Sequence, residues 1–301
     1  MVEDIDRDRR TRGRNVSPDF LADRAKFSRL ETVRLARIAG AGHYSSSFSA
    51  SELFAALYYA HMRINPGEPK WPDRDRFILS KGHAAIGLYP ILADLGYFDS
   101  ALLDNYTRLG SAFGDHPDMK KVPGLDFSSG SLGHGLSVAV GMALSARMQA
   151  RDYRVFCMLG DGELAEGQIW EAAMSAAHFK LGSLVAIIDR NGLCIDGRTE
   201  DVMGVEPLED RFAGFGWNTM RIDGHDFEAI LAALDALPAP GEGKPTAIIA
   251  DTVKGRGVAM MEGALDWHVG NLVGEDYDAV IAEIESGLKP STIAYHGENG
   301  Q

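Results

Sequence analysis

Short apolar runs that alternate with helical stretches predict an α/β fold, a doubly wound parallel sheet with helices on both faces. Two runs carry most of this reading. Val155, Phe156, Cys157, Met158 and Leu159 form a continuous apolar segment stopped by Gly160-Asp161-Gly162, and Leu184 to Ile188 repeats the pattern shortly before Asn191. Runs this short and this uniformly apolar are expected of strands buried on both faces. Between them, Glu166 to Phe179 reads as a helix, which supplies the alternation.

The remaining elements follow in order. Residues 1–16 mix Asp, Glu and Arg with almost no apolar side chains, so a frayed tail is expected ahead of a single domain over residues 17–301. A helix should start after Ser17-Pro18, because proline suits a first helical turn and apolar residues recur at Phe20, Leu21, Phe27, Leu30, Val33, Leu35 and Ile38. Ser49 to Met62 reads as a second helix, Pro66 to Pro72 as a loop, and Arg76 to Leu79 as a short strand. Gly130 to Gln149 is a glycine-rich turn running into a helix of small residues. Asn218 to Ile222 and Thr246 to Val253 are the last two strands, separated by the helix Phe227 to Leu237 and the loop Pro238 to Pro245. No internal repeat or linker interrupts this series.

An apolar content of 45% over 301 residues is enough for a substantial core. The formal net charge of -13 argues against general affinity for nucleic acid or acidic lipid, and is read as a solubility feature. Cys157 and Cys194 sit in strand or strand-end segments without metal-ligand spacing, which fits buried thiols in a reduced, cytoplasmic setting. No apolar segment is long enough to span a membrane, and the first residues lack a signal-peptide core.

The chemistry concentrates where the two apolar runs end. Asp161 emerges at the tip of the first, between glycines that let the backbone approach a bulky anion, and offers a hard oxygen suited to Mg2+ or Ca2+. Asn191 adds a neutral amide oxygen from the adjacent loop, leaving coordination positions for phosphate oxygens outside the strand ends. In Gly130-Ser-Leu-Gly-His-Gly135, three glycines precede a helix, so backbone amides can point at a phosphate. Of nine histidines, His43, His83, His116 and His268 lie in glycine- or aromatic-flanked loops. Imidazoles there can donate or accept a proton near neutral pH, although each taken singly also fits a structural histidine. Glu166 fits a carboxylate favoured by a helix first turn, and Glu163 and Glu171 read as exposed charges. Lys81 and Lys254 precede glycines, where a solvated loop cation is as good an explanation as a functional one.

Gly-Asp-Gly followed at this spacing by Asn resembles the thiamine diphosphate motif. Further segments resemble the amino-terminal half of a transketolase: Ala41-Gly-His-Tyr44, Trp71-Pro-Asp-Arg-Asp-Arg-Phe-Ile-Leu-Ser-Lys-Gly-His-Ala84, Gly114-Asp-His-Pro117, Ser129-Gly-Ser-Leu-Gly-His-Gly135, Arg221-Ile-Asp-Gly-His225, and Val253-Lys-Gly-Arg-Gly257 with Trp267-His268. They occur in the family's order between residues 25 and 275. The resemblance implies thiamine diphosphate held with Mg2+ or Ca2+, the metal on Asp161, Asn191 and Leu193. It implies cofactor contacts from His83, Gly130, Leu132, Gly162, Asn191 and His268. His83 and His116 would lie near the cofactor and the donor's hydroxyls, His43 near the carbonyl or leaving hydroxyl, and His268 within reach of diphosphate and substrate. Glu166 would approach a neighbouring active site across a subunit interface. Ser131 and His134 depart from the proline and glutamine expected in the long single-chain enzymes.

In that family the glutamate that activates the aminopyrimidine, the aromatic pocket around it and the residues that hold a sugar phosphate lie in a following region, which these segments do not include. The resemblance therefore implies one subunit of a split transketolase, with a carboxy-terminal partner chain in an α2β2 heterotetramer. The activity implied is transfer of a two-carbon ketol unit from a ketose, phosphorylated, sulfonated or branched, to an aldose acceptor, by covalent catalysis on the cofactor. The alternatives are one subunit of a 2-oxo acid dehydrogenase, a fragment similar to 1-deoxyxylulose phosphate synthase, and a catalytically silent cofactor-binding subunit.

Overall fold

The structure, a computed structural model, describes residues 12–241 and 243–288. The predicted strands all form: β1 (Arg76–Leu79), β2 (Val155–Gly160), β3 (Leu184–Arg190), then, after the two-residue strands β4 (Leu193–Cys194) and β5 (Gly197–Arg198), β6 (Asn218–Asp223) and β7 (Thr246–Asp251). The main sheet runs β1-β2-β3-β7-β6 with every pairing parallel. Strand β4 pairs antiparallel with β5 in a separate small ladder.

Side chains alternate along each strand, so neighbouring residues enter different cores. Phe156 and Met158 of β2, with Phe77, Val185, Ile187 and Ile248, face one core, while Val155, Cys157 and Leu159, with Ile78, Ala186, Ile188 and Ile249, face the other. Helices α1 (Pro18–Ala39), α2 (Tyr44–Phe48), α3 (Ser51–Ala55), α4 (Ala85–Asp94), α9 (Phe227–Asp235) and α10 (Glu275–Glu285) bury apolar residues in the first core. Helices α5 (His134–Met148), α6 (Gly167–His178) and α8 (Leu208–Gly214) do so in the second. The short α7 (Thr199–Met203) lies between β5 and α8. The doubly wound architecture is thus the one observed. Each fully buried Ile, Leu, Val or Phe contributes roughly 1.5–3 kcal/mol relative to exposure.

Local rules explain where helices begin and end. The Ser17 hydroxyl accepts from the Phe20 amide, Pro18 occupies the first turn of α1, and Gly40 closes the helix with φ 84°. The helix expected over Ser49 to Met62 differs in detail. It begins at Tyr44, breaks at Ser49-Ala50 and widens into a π-helical turn over Ala56–His61. Side chains throughout Tyr44 to His61 are buried, so no polar face marks the register. The Ser51 hydroxyl also donates back to the carbonyl of Ser47 at 3.0 Å, a contact that bends helices.

The tail expectation needs correction over part of its length. Residues 1–11 lie outside the described residues, but 12–16 are anchored. The Arg12 guanidinium holds Asp75 at 2.5 Å. Arg14 donates to the carbonyls of Tyr58, Tyr59 and Met62, which are left over at the end of the π-helical turn. Among the described residues no helix is long and apolar enough to cross a membrane.

Candidate active site

The loops after β1, β2, β3 and β7 converge at the carboxyl ends of the parallel strands, where an open α/β sheet places its ligands. Together with loops near residues 43, 116, 130 and 268 they enclose a cavity of about 450 Å3. His43, His83, His116, Gly130, Leu132, Asp161, Gly162, Asn191, Leu193 and His268 all line it. Glu166 is the exception among the candidate residues. It is exposed at the start of α6, makes no side-chain cap bond, and lies outside the lining.

Asp189 and Arg190, the last two residues of β3, point to opposite faces by strand alternation, and Asn191 follows in the loop. Asp189 turns to a buried nest of donors: the Lys81 ammonium, the Thr252 hydroxyl and the Ser49 hydroxyl, the last at 2.6 Å. Burial works against its charge, but Lys81 and these hydrogen bonds outweigh that and hold its pKa below the ordinary carboxylate value. Arg190 turns the other way, donating to Asp161 Oδ2 at 2.9 Å, Thr199 Oγ1 at 2.6 Å and Glu206 at 2.8 Å. Asn191 reaches the cavity. Asp161 is further fixed by the Gly192 amide at 2.6 Å and the Gly162 amide at 2.9 Å.

Glu163 corrects the expectation of an exposed charge. It is 2% exposed and joins three loops, accepting from the Ser80 hydroxyl after β1, the Gly160 amide at the end of β2 (3.1 Å) and the Gly133 amide before α5 (2.7 Å). Burial raises its pKa despite those donors. Gly133 itself has φ 86°, and a Cβ there would stand 2.7 Å from the Glu166 Cβ, so the turn that presents Gly130 and Leu132 requires glycine at this point. Ser131 and His134 face a neighbouring groove with Ser137 and Gln168 instead of the cavity. Glu171 is exposed, as expected.

Neither Lys81 nor Lys254 is a solvated loop cation, since both are buried and line the cavity. Lys254 Nζ donates to the Leu193 carbonyl at 3.1 Å and lies 2.9 Å from His268 Nδ1. Burial, reinforced by the charge of Lys81, pushes the Lys254 ammonium down to about 8. Burial and the charge of Lys254 lower His268 to about 4, and burial with Lys81 takes His83 well below its ordinary value. Both rings are therefore neutral near pH 7. The His43 ring centroid is 5.3 Å from that of His83, 5.5 Å from His268 and 6.1 Å from His116. An isolated backbone bridge, Gly42 to Gly270, ties the loop of His43 to that of His268.

The oxygen donors fit a hard cation beside a phosphate-bearing ligand. Asp161 offers a carboxylate, Asn191 an amide oxygen and Leu193 a carbonyl, all on the cavity wall. Among the described residues no group of three His, Cys, Asp or Glu side chains could hold a metal ion, so a cation here would need the amide and carbonyl oxygens and those of a bound ligand. Arg190 and Glu163 were not singled out from the sequence as site residues. Arg190 had a signal, since strand alternation continues past the apolar run of β3 into polar residues. Glu163 had none, because two of its partners lie 30 and 83 residues away in the chain.

Comparison with known proteins agrees with this geometry. The family described as transketolase, thiamine diphosphate binding domain, matches residues 22–293. A 6-deoxy-6-sulfo-D-fructose transketolase subunit from Clostridium sp. (strain MSTE9) is 44% identical over 246 residues, covering 82% of this chain and 89% of that protein. An apulose-4-phosphate transketolase subunit from Phocaeicola vulgatus is 40% identical over 262 residues, covering 87% and 92%. The crystal structure of a Campylobacter jejuni transketolase aligns with a TM-score of 0.83 and 30% identity over 90% of this chain and 43% of that one, so the chain spans less than half of that solved enzyme. The chain belongs to the transketolase family and carries its thiamine diphosphate-binding domain.

Proposed function

We propose that this chain is the diphosphate-binding subunit of a two-chain transketolase that moves a two-carbon ketol unit from a ketose donor to an aldose acceptor, using thiamine diphosphate and Mg2+ or Ca2+. The observation that carries the reading is the convergence of Asp161, Asn191 and Leu193 with His43, His83, His116 and His268 on one cavity. The two relatives named as transketolase subunits, matched over 89% and 92% of their lengths, support a separate partner chain. They favour neither a 2-oxo acid dehydrogenase subunit nor a fragment similar to 1-deoxyxylulose phosphate synthase. A silent subunit would need the oxygen donors but not the four histidines.

Asp161, Asn191 and the Leu193 carbonyl would hold the metal, and Gly162, Gly130, Leu132, His83 and His268 the cofactor. When bound, thiamine diphosphate supplies a carbon nucleophile and an electron sink for the two-carbon fragment. The protein orients the sugar and moves protons. Neutral His268 accepts from Lys254 at Nδ1, which leaves Nε2–H as a donor toward a developing oxyanion. His83 stays neutral, so no buried imidazolium competes with the cofactor for charge. Exposed Glu166 is open to a neighbouring subunit, which fits a heterotetramer whose sites lie at interfaces. The partner would bring the pyrimidine pocket, its activating glutamate and the groups that recognise the far end of the sugar. Two free cysteines support a reducing, cytoplasmic setting.

Co-expression with a candidate carboxy-terminal transketolase subunit, followed by a ketol-transfer assay with thiamine diphosphate, Mg2+, a ketose phosphate and an aldose, tests the reading. Transfer by the mixture and by neither chain alone is the expected result. A stable, cofactor-loaded complex that transfers no ketol unit from phosphorylated, sulfonated or branched ketoses would overturn it.

A further inference from the structure

A carboxylate to which the proposed function assigns no part stands between His43 and His116. Asp115 Oδ1 lies 3.2 Å from His43 Nδ1 and accepts from the Tyr106 hydroxyl at 3.4 Å, while Oδ2 lies 3.4 Å from His116 Nδ1. Tyr106 is fully buried, so its hydroxyl fixes one carboxylate oxygen from the protein interior. Burial raises the Asp115 pKa, but the hydrogen bond from His43 and the neighbouring imidazoles bring it below the ordinary value, and the group is ionised near neutral pH.

An ionised carboxylate has no proton to give, so the proton shared with His43 belongs to Nδ1. In a neutral imidazole the other nitrogen, Nε2, is then an acceptor. His43 lines the cavity, and its Nε2 has no hydrogen-bonding partner among the described residues. The other groups around the ring are His83, His116 and His268, with the cations Lys81 and Lys254 behind them. In that company of imidazoles and ammonium groups, Asp115 is the acidic side chain bonded to the His43 ring.

We propose that Asp115 is a positioning residue for ketol transfer, holding His43 in its Nδ1–H form so that Nε2 faces the sugar as a proton acceptor. The inference rests on the transketolase reading above. As the donor's carbon–carbon bond breaks, the hydroxyl proton of the departing aldose passes to Nε2, and Asp115 stabilises the imidazolium. The same proton returns to the alkoxide formed when the acceptor's carbonyl is attacked, so the ring ends the cycle neutral.

Two measurements separate this inference from its premise. In the full chain labelled with 15N-histidine, NMR should show His43, identified by its loss in His43→Gln, as the Nδ1–H tautomer. Asp115→Asn should abolish that preference, with the Nε2–H tautomer appearing in its place. In the assembled enzyme Asp115→Asn should lower kcat about tenfold or more with KM nearly unchanged, while Asp115→Glu restores much of the rate. An Nε2–H tautomer in the wild type, or the wild-type tautomer and rates in Asp115→Asn, would overturn the proposal and leave the transketolase reading standing. The expected tautomer together with no ketol transfer by any pairing would overturn that reading, and with it the catalytic role given to Asp115.

Discussion

Lys81→Met keeps most of the side chain's length and apolar volume while deleting its charge, which makes it a test of the polar interior beneath the cavity. The Lys81 and Asp189 side chains are 1% and 0% exposed, and Lys81 Nζ also donates to the Ser46 carbonyl at 2.9 Å. Without Lys81, Asp189 keeps the hydroxyls of Ser49 and Thr252 but has no cation in contact, Lys254 acting on it only from a distance. Breaking a buried pair by removing one partner costs about 3–5 kcal/mol, against about 0–1 kcal/mol for an exposed pair. Urea unfolding at pH 7 should therefore show a loss of about 3–5 kcal/mol, a large share of the roughly 5–15 kcal/mol of a whole domain. The pH dependence separates lost charge from lost packing. In the wild type the folded Asp189 pKa is depressed, so its contribution is present above the unfolded value of about 3.9 and disappears as pH falls through the folded value. In Lys81→Met burial is no longer offset, the folded pKa rises above the unfolded one, and the deficit shrinks as pH falls toward about 4. Adding Asp189→Asn should recover much of the loss. A loss below about 1 kcal/mol at pH 7, or a deficit that grows on acidification, would refute the reasoning.

Asp161→Ala should weaken metal-dependent binding of thiamine diphosphate by at least about tenfold in calorimetry while the far-UV circular dichroism is unchanged; wild-type binding in the assembled enzyme would sink the metal assignment. Glu163→Ala strands the Gly133 and Gly160 amides, at about 1–3 kcal/mol for each unsatisfied group, and should lower the melting temperature by several degrees. An unchanged melting temperature would mean that the three loops hold together without it. His61 is pushed down to about 4 by burial and by Arg154, and its Nε2 has no partner. Because the folded value lies below the unfolded value of about 6.5, stability is full above that pH and declines between about 6.5 and 4, by at most about 3 kcal/mol. His61→Phe should flatten this part of a chemical-denaturation series, and an identical acid limb would contradict it.

The sequence reveals the sheet because a strand buried on both faces needs an unbroken apolar run. Val155 to Leu159 and Leu184 to Ile188 could be little else, and the helix between them sets their parallel order. Helix α4 leaves no comparable trace. Nine of the ten residues of Ala85–Asp94 are buried and Pro90 sits inside, so neither an amphipathic period nor a clean boundary marks it. The cavity residues were legible where chemistry restricts residue type, as at Asp161, Asn191 and the loop histidines. Lys81, Glu163 and Asp115 are different. Their roles depend on partners 108, 83 and 72 residues away, and a charge in a loop looks the same whether it is solvated or buried against such a partner.

Polar residues this deep would be a liability in an ordinary core, and their arrangement explains why the site tolerates them. At the end of β3, Asp189 and Arg190 are adjacent in sequence yet point into separate networks. Asp189 is neutralised by Lys81, which crosses from the loop after β1, and Arg190 by Asp161 and Glu206, from the loop after β2 and the segment before α8. Each buried charge thus meets its counter-charge on a different chain segment, so the ion pairs join the strand ends to one another. This adds rigidity where the cavity wall is made of loops, and rigid positioning of polar groups is what a site must supply before any ligand arrives. Asn191, next in the chain, inherits its placement from both networks. Loss of either pair should therefore disturb the cavity wall through Asn191 as well as destabilise the fold, so a Lys81 variant should lose cofactor affinity even under conditions where it remains fully folded.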